Sequence, residues 1–442
     1  MGKWTRRAFI TAGVAAGGVV VFGVAIRRGD RSDKVEGLVA ADGESLFDVW
    51  LKIAPDNTVT AIIPHADMGQ GVHTALAMML ADELDADWSG VRFEEAPAHK
   101  EFANYALARE YSTSGMEFPA WLIDSVDGLF FRATQMMGLQ ITGGSLSVRT
   151  TGQLAMRVTG AATRAVLLQA AANEWQVPVA ELRTADSMIR HEATGREATF
   201  AHFAPAAAEL PLPDKPALKS PDECRIMGTS PPRFDVPPKV DGSANFGIDA
   251  VLPGMKYATI KAAPVFGGRV LSVDEASIQD MPGVRKVVNL GDAVAVIADG
   301  YWQAKKALDK LAIEFGDGGN SGAGQDEIFG QFAREIDSAA AEGQEKNDFE
   351  AGDAAAALDA AAQVLEAEYR VPFLAHATME PMNCTAWVHD DRCELWLGTQ
   401  NPLGFARQVA KAIDMDQERV FLHNQYLGGG FGRRAFDDFA IQ

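Results

Sequence analysis

The sequence predicts an α+β chain of several domains. Three observations carry that expectation. At roughly 100–200 residues per domain, 442 residues predict about two to four domains with apolar cores. Strand-like runs such as 58–64 and 91–94 are interspersed with segments of helical periodicity, and no solenoid-type repeat runs through the chain. A Pro-dense stretch at 206–236 and a Gly/Ser/Asp-rich loop at 316–326 punctuate the whole.

Composition narrows the class. With 47% hydrophobic and 23% charged residues the chain reads as globular rather than disordered. Its net charge of −20 argues against a nucleic-acid binder, which needs a basic surface for phosphates. Cys224, Cys384 and Cys393 show no C-x-x-C spacing. A disulfide scaffold, a cysteine zinc site and a cysteine-ligated iron–sulfur cluster in this chain are therefore not expected.

The first segment, 1–33, differs in charge from the rest. Lys3, Arg6, Arg7, Arg27 and Arg28 face no acidic residue before position 29, and an apolar run follows the arginine pair through Ile26. Charge ahead of a moderately apolar segment is the physical form of an export signal, and the pair has the form of a twin-arginine signal. A periplasmic location is expected. The same run over 8–26 is just long enough to span a bilayer, so a membrane tether is the alternative; no A-x-A cleavage pattern follows Ile26.

In the second segment, 34–205, Asp67-Met68-Gly69-Gln70-Gly71-Val72-His73-Thr74 follows a strand-like run and opens a helix whose buried stripe is Leu76, Met79, Leu80 and Leu84. Such a turn presents backbone N–H groups to an anion, and Gln70 adds an amide that donates and accepts. Two glycines also serve plain turn geometry, and His73 has no second histidine at metal-ligand spacing. A second loop, Gly143-Gly144-Ser145-Leu146-Ser147, again precedes a helix. Its serines suit either N-capping or a phosphate, and capping is the simpler reading.

The Pro-rich stretch 206–236 reads as a linker. Segment 237–317 is strand-rich, with turns at Pro253-Gly254, Gly267-Gly268 and Pro282-Gly283 and a helix near 303–311. A further linker, 318–350, leads to the last segment, 351–442, which opens on an Ala-rich helical stretch. There a strand at 393–397 ends on Gly398-Thr399-Gln400-Asn401-Pro402, and a helix containing Phe405, Val409 and Ile413 follows. Next comes Leu427-Gly428-Gly429-Gly430-Phe431-Gly432-Arg433-Arg434. Four glycines around Phe431 permit positive φ and close backbone approach, more than a turn requires, which favours a ligand. The loop is neither a Walker A motif nor a dinucleotide fingerprint. Gln400 precedes Phe431 by 31 residues, so a strand–helix–strand unit would set the two side by side. Within Ala375-His376-Ala377-Thr378-Met379-Glu380-Pro381-Met382-Asn383, His376 and Glu380 read equally as acid–base groups or as part of a cis-capable turn held by a buried polar pair. Residues 434–442 read as the first turns of a helix with no stop signal, so the chain is expected to be the first part of a longer subunit. G-x-S-x-G and H-E-x-x-H are both absent, and no cysteine sits in a nucleophile context.

Together, Gly69-Gln70-Gly71, the 376–383 segment, Gln400 and the 428–432 loop resemble the molybdopterin-binding large subunit of the xanthine dehydrogenase and aldehyde oxidase family. The arginine pair after the loop, the exported N-terminus and Met379-Glu380-Pro381-Met382-Asn383 resemble the branch of that family that holds the isoquinoline 1-oxidoreductase β subunit. The resemblance implies a multidomain molybdenum-hydroxylase architecture with an α/β-hammerhead domain at 237–317 between molybdopterin-binding domains at 34–205 and 351–442. It implies that Gln400 contacts the molybdenum's apical oxo ligand, with Phe431 and Gly432 against the metal centre. Gly69, Gln70 and Gly71 would hold the pterin and its phosphate, Gly143, Gly144, Ser145 and Ser147 the dinucleotide phosphates, and Gly429 and Gly430 would also bind the cofactor. No side chain is assigned as a metal ligand.

The cofactor implied is molybdopterin cytosine dinucleotide with molybdenum. The reaction implied is hydroxylation by water of an aldehyde or N-heteroaromatic carbon. Electrons would pass to a small [2Fe–2S] subunit and on to a cytochrome c. Two departures stand out. Arg433, Arg434 and Ala435 replace the Gly-Lys-Glu that many members carry, a departure from a purine-type grip. The family's base glutamate, in a G-x-G-E-like motif, does not occur in these residues. The alternatives are an exported, non-catalytic binding or assembly protein with structural glycine loops, and a nicotinamide-dependent dehydrogenase.

Overall fold

The computed structural model describes residues 31–113, 116, 118–341 and 351–442. The export signal and the tether expected over 8–26 lie outside the described residues. Among the described residues no helix is long and apolar enough to cross a membrane. The fold is α+β, with helices packed on small, mostly antiparallel sheets. Two compact units divide the chain: Met1–Ala250 with His376–Gln442, and Val251–Ala375.

In the first unit, β1 (Ser45–Phe47), β2 (Leu51–Ile53), β3 (Val59–Ile63) and β4 (Val91–Glu95) form one sheet in that order. The first three strands are antiparallel, whereas β3 and β4 are parallel, which requires a crossover. Helix α1 (Val72–Leu84) supplies it. All five residues of β3 are buried, as expected for a strand between two neighbours with both faces covered. In α1, Leu76, Leu80 and Leu84 are buried in the main core, and the helix stops at Asp85 in the left-handed region.

Helices α2 (Tyr105–Thr113), α3 (Ala120–Met137), α4 (Ser145–Thr151) and α5 (Arg157–Trp175) follow, with a π-helical turn, Gly152–Met156, joining the last two. The π turn and α5 lie close against α1 because glycine stands at the points of contact. A Cβ on Gly152 would overlap the Met79 sulfur, and one on Gly160 would overlap the Leu80 carbonyl. A three-stranded antiparallel sheet, β5 (Leu182–Ala185), β6 (Met188–His191) and β7 (Arg196–Thr199), precedes α6 (Phe200–Ala208). Phe200 and Phe203 of α6 complete the core.

The Pro-dense stretch is held by charge. The Asp82 carboxylate accepts from the backbone N–H groups of Arg225, Ile226 and Met227, and Glu83 accepts from that of Lys219 and pairs with Arg157.

The second unit contains a sheet of β8 (Tyr257–Ala262), β10 (Val284–Asn289) and β11 (Ala293–Ala298), with β11 central, and a pair formed by β9 (Arg269–Asp274) and β12 (Ala312–Gly316). Helix α7 (Tyr301–Lys310) buries Ala307 and Leu308 against Val294 and Val296. Helix α8 (Gln325–Ala341) also belongs to this unit.

The chain then returns to the first unit through β13 (Thr385–His389), β14 (Arg392–Leu397), α9 (Pro402–Ala412) and β15 (Val420–Asn424). β13 and β14 are antiparallel; β14 and β15 are parallel and joined by α9. Cys393, Leu395 and Leu397 alternate toward Phe405, Ala406 and Val409 of α9. Asn401 caps α9 by accepting from the Gly404 N–H, and Pro402 occupies its first turn. This βαβ unit has the same strand–helix–strand form as β3–α1–β4, and each places a loop at the carboxyl ends of two parallel strands.

Candidate cofactor site

The turn after β3 is built around its own side chains. Gly69 at φ +102° and Gly71 at φ +74° take conformations that other residues rarely adopt. Gln70 folds back, accepting from the Met68 N–H at 2.7 Å and donating to the Ala66 carbonyl at 3.0 Å. Asp67 accepts from the Gly69 N–H. No side chain caps α1, whose first turn follows directly from Gly71.

Gln400 lies just beyond β14. Pairing of Leu397 with Asn424 brings the end of β14 beside that of β15, from which the glycine loop continues. The Gln400 amide nitrogen donates to the Thr142 carbonyl at 3.1 Å, while Oε1 is buried with no hydrogen-bond partner. A Cβ built on Gly430 would stand 3.5 Å from that Oε1 and 3.0 Å from the Met68 sulfur. The turn after β3, Gln400 and the glycine loop therefore converge.

Thr142 links the second loop to the same place. Its N–H donates to the Gln400 carbonyl at 2.7 Å, and its hydroxyl accepts from the Ala66 N–H. The buried Ser147 hydroxyl accepts from the Gly143 N–H at 2.7 Å, so it ties the loop to the helix start. Gly144, at φ +59°, and Ser145 occupy the turn into α4, and Ser145 is exposed. Phe431 stands at φ +52° and is 73% exposed; Gly432 is also exposed, with φ +91°.

Arg434, which the sequence marked only as a family departure, is fully buried. Its guanidinium donates to Glu380 Oε2 at 2.6 Å, to the Glu380 carbonyl at 2.9 Å and to the Gly429 carbonyl at 2.7 Å. Its own carbonyl accepts from the Gln400 N–H at 3.0 Å and the Thr399 hydroxyl at 3.1 Å. Glu380 accepts in turn from the Gly428 and Ile248 N–H groups and from Asn383. Of the two readings of Glu380, the structure shows the buried polar pair. The peptide bonds there are trans.

A second polar group lies by the turn after β3. Burial pulls the Asp235 carboxyl upward, yet Arg233 and Lys239 together hold it down at about 2. Arg233 also donates to the Gly69 carbonyl. Behind them, burial pushes Glu95 up to about 8, against a hydrogen bond from Asn424. His73, 3.8 Å from Glu95, and His65 are both pushed down by burial, His65 to about 3. Asn424 joins this group to the site by accepting from the Thr399 N–H. Among the described residues no group of three or more His, Cys, Asp or Glu side chains is placed to hold a metal ion.

The site thus consists of glycine loops and one buried amide with an unpartnered oxygen, a donor set fitted to an organic cofactor rather than to direct metal ligation. The match to known families agrees. Residues 338–442 match the molybdopterin cofactor-binding domain. The beta chain of isoquinoline 1-oxidoreductase from Brevundimonas diminuta is 29% identical over 475 aligned positions, covering 98% of this chain and 56% of that protein. A membrane-bound aldehyde dehydrogenase of Gluconacetobacter polyoxogenes, whose name specifies pyrroloquinoline quinone, is 30% identical over 99% of this chain and 53% of that protein. A nicotinate dehydrogenase subunit of Pseudomonas putida is 26% identical over 91% of this chain and 31% of that protein. The chain carries a molybdopterin cofactor-binding domain and is similar, over nearly all its length, to subunits of such oxidoreductases. It spans about half the length, or less, of these curated relatives.

Proposed function

We propose that the chain is the cofactor-binding part of an exported molybdenum hydroxylase that oxidises an aldehyde or an N-heteroaromatic carbon with oxygen from water. The observation that carries this reading is the buried Gln400 amide, whose Oε1 lacks a partner, set beside Gly430 in a chain whose last quarter matches a molybdopterin-binding domain. When bound, molybdopterin cytosine dinucleotide would supply the two-electron redox chemistry. The Gln400 amide would orient it from one side. The backbone of Gly429, Gly430, Phe431 and Gly432 would approach closely on another. Gly69, Gln70 and Gly71 would meet the pterin at the start of α1, while Gly143, Gly144, Ser145 and Ser147 would meet the nucleotide phosphates. Because Gln70 and Ser147 are engaged within their own loops, backbone N–H groups would carry most of that contact.

The electrons would leave through a separate [2Fe–2S] subunit, since this chain's three cysteines are fewer than the four such a cluster takes, and then to a cytochrome c. The Arg6-Arg7 pair supports export to the periplasm by the twin-arginine route, and the apolar run 8–26 supports a tether there.

Metal and cofactor analysis of the full-length native complex tests the reading. About one molybdenum per large subunit, with CMP released on acid hydrolysis, is the expected result. Pyrroloquinoline quinone without molybdenum would transfer the chain to quinone chemistry, and neither would leave the non-catalytic binding role. For export, Arg6→Lys together with Arg7→Lys should retain the protein in the cytoplasm; unchanged periplasmic recovery rejects that route.

A further inference from the structure

We infer that Arg434, paired with Glu380, is a positioning residue for the cofactor site: it sets Gln400 and the glycine loop as one rigid piece. The inference deepens the proposed function and rests on it. Three separate stretches of chain meet on this one side chain. The guanidinium spans from Glu380 to the Gly429 carbonyl and, at 3.3 Å, to the Gly398 carbonyl two residues before Gln400. The Arg434 carbonyl holds the Gln400 N–H and the Thr399 hydroxyl. Glu380 closes the circuit through the Gly428 N–H at 2.9 Å, and its own N–H donates to the Gly428 carbonyl at 3.0 Å.

A planar guanidinium with several donors in fixed directions can hold this geometry, whereas a lysine ammonium on a flexible stem cannot reproduce it. Gly428 has no room for a side chain, because a Cβ there would overlap that of Glu380. The loop is thereby pressed onto the ion pair. Gly430, two residues on, is the position facing the orphaned Gln400 oxygen. A shift of Arg434 therefore moves Gln400 and Gly430 together. The arginine is a structural link between the two, with no reacting group of its own exposed to the site.

The test compares the wild-type full-length complex with Arg434→Lys and, as a second variant that keeps the arginine, Glu380→Gln. Hydrogen exchange is followed by mass spectrometry in peptides covering 398–401, 428–432 and 69–76. The expected result is exchange at least about tenfold faster in the first two peptides together, with the third unchanged. Exchange that rises in only one of the two, or in neither, overturns the link.

The second readout separates positioning from general stability. In complexes loaded to the same molybdenum content, kcat should fall at least about tenfold with KM changed less than about twofold, and the Mo(V) resonance should shift. Wild-type kcat and resonance in a variant that only melts earlier overturn the positioning role. Absence of molybdenum from the wild-type complex would instead reject the proposed function, and the exchange measurement would still decide whether Arg434 couples the two segments.

Discussion

The Arg434 guanidinium and the Glu380 carboxylate face each other at 2.6 Å where neither is more than 7% accessible. Burying two charges is costly, and removing one partner leaves the other uncompensated. Arg434→Met and Glu380→Gln should each lower unfolding stability by about 3–5 kcal/mol. The double variant should cost less than their sum by at least about 1 kcal/mol, because adjacent partners are not additive. Urea unfolding of the four proteins measures the cycle. Strict additivity would mean that the two groups act independently.

Gly428 and Gly90 separate close packing from open space. A Cβ at 428 would overlap Glu380, whereas nothing lies within 4 Å of one at 90. Gly428→Ala should therefore destabilise by about 1–3 kcal/mol through overpacking, and Gly90→Ala should stay within about 0.5 kcal/mol of wild type. Equal effects in thermal melting would contradict the packing described here.

Glu95 should make stability fall as pH rises. Burial lifts its folded-state value to about 8, against about 4.3 for an unfolded glutamate. Between those values the folded chain holds a proton that the unfolded chain has lost, so this group's contribution declines across the window. Glu95→Gln removes that slope, and the variant should gain on wild type between about pH 5 and pH 8. His65 acts at the other end. Burial, with the neighbouring His73 adding to it, holds His65 down at about 3, so stability is lost as pH falls from about 6.5 toward that value. Melting temperatures across pH would show both limbs. An unchanged alkaline limb in Glu95→Gln removes Glu95 as its source.

How much of this could be read from the sequence depends on the range of the signal. The strand, helix and strand that set Gln400 beside Phe431 follow local periodicity, so their spacing foretold the βαβ unit that the structure contains. Placement of the Gly69-Gln70-Gly71 turn at the head of α1 was equally local. The pairing of Glu380 with Arg434 was not, because 54 residues separate them and a buried charge looks like a surface one in sequence. Sequence showed Glu380 as one of two equal readings and Arg434 as a departure from a family pattern. The contacts of Asn424 and Thr142 gave no signal, since they are bonds to groups of distant loops, the Glu95 carboxylate among them. The same holds for the stretch around 225, whose backbone amides wrap the Asp82 carboxylate. Prolines disclosed its lack of regular structure but not what holds it.

Gln400 itself separates stability from chemistry. Its backbone bonds to Arg434 and Thr142 survive truncation, and only the amide donor to the Thr142 carbonyl is lost. Removing Oε1 also removes a buried acceptor with no partner. Gln400→Ala should therefore cost only about 0.5–1.5 kcal/mol for the hydrogen bond, together with a modest cavity. Gln400→Glu keeps the shape but replaces that donor with a carboxylate oxygen against the Thr142 carbonyl, so the buried charge gains no compensating bond. Above pH 7 the glutamate variant should be the less stable of the two, despite its closer size. Turnover in the full-length complex should drop sharply in Gln400→Ala while its melting temperature moves by only a few degrees. Wild-type turnover in that variant would remove Gln400 from the site, and a glutamate variant as stable as wild type would mean that the amide donor is not needed where the structure puts it.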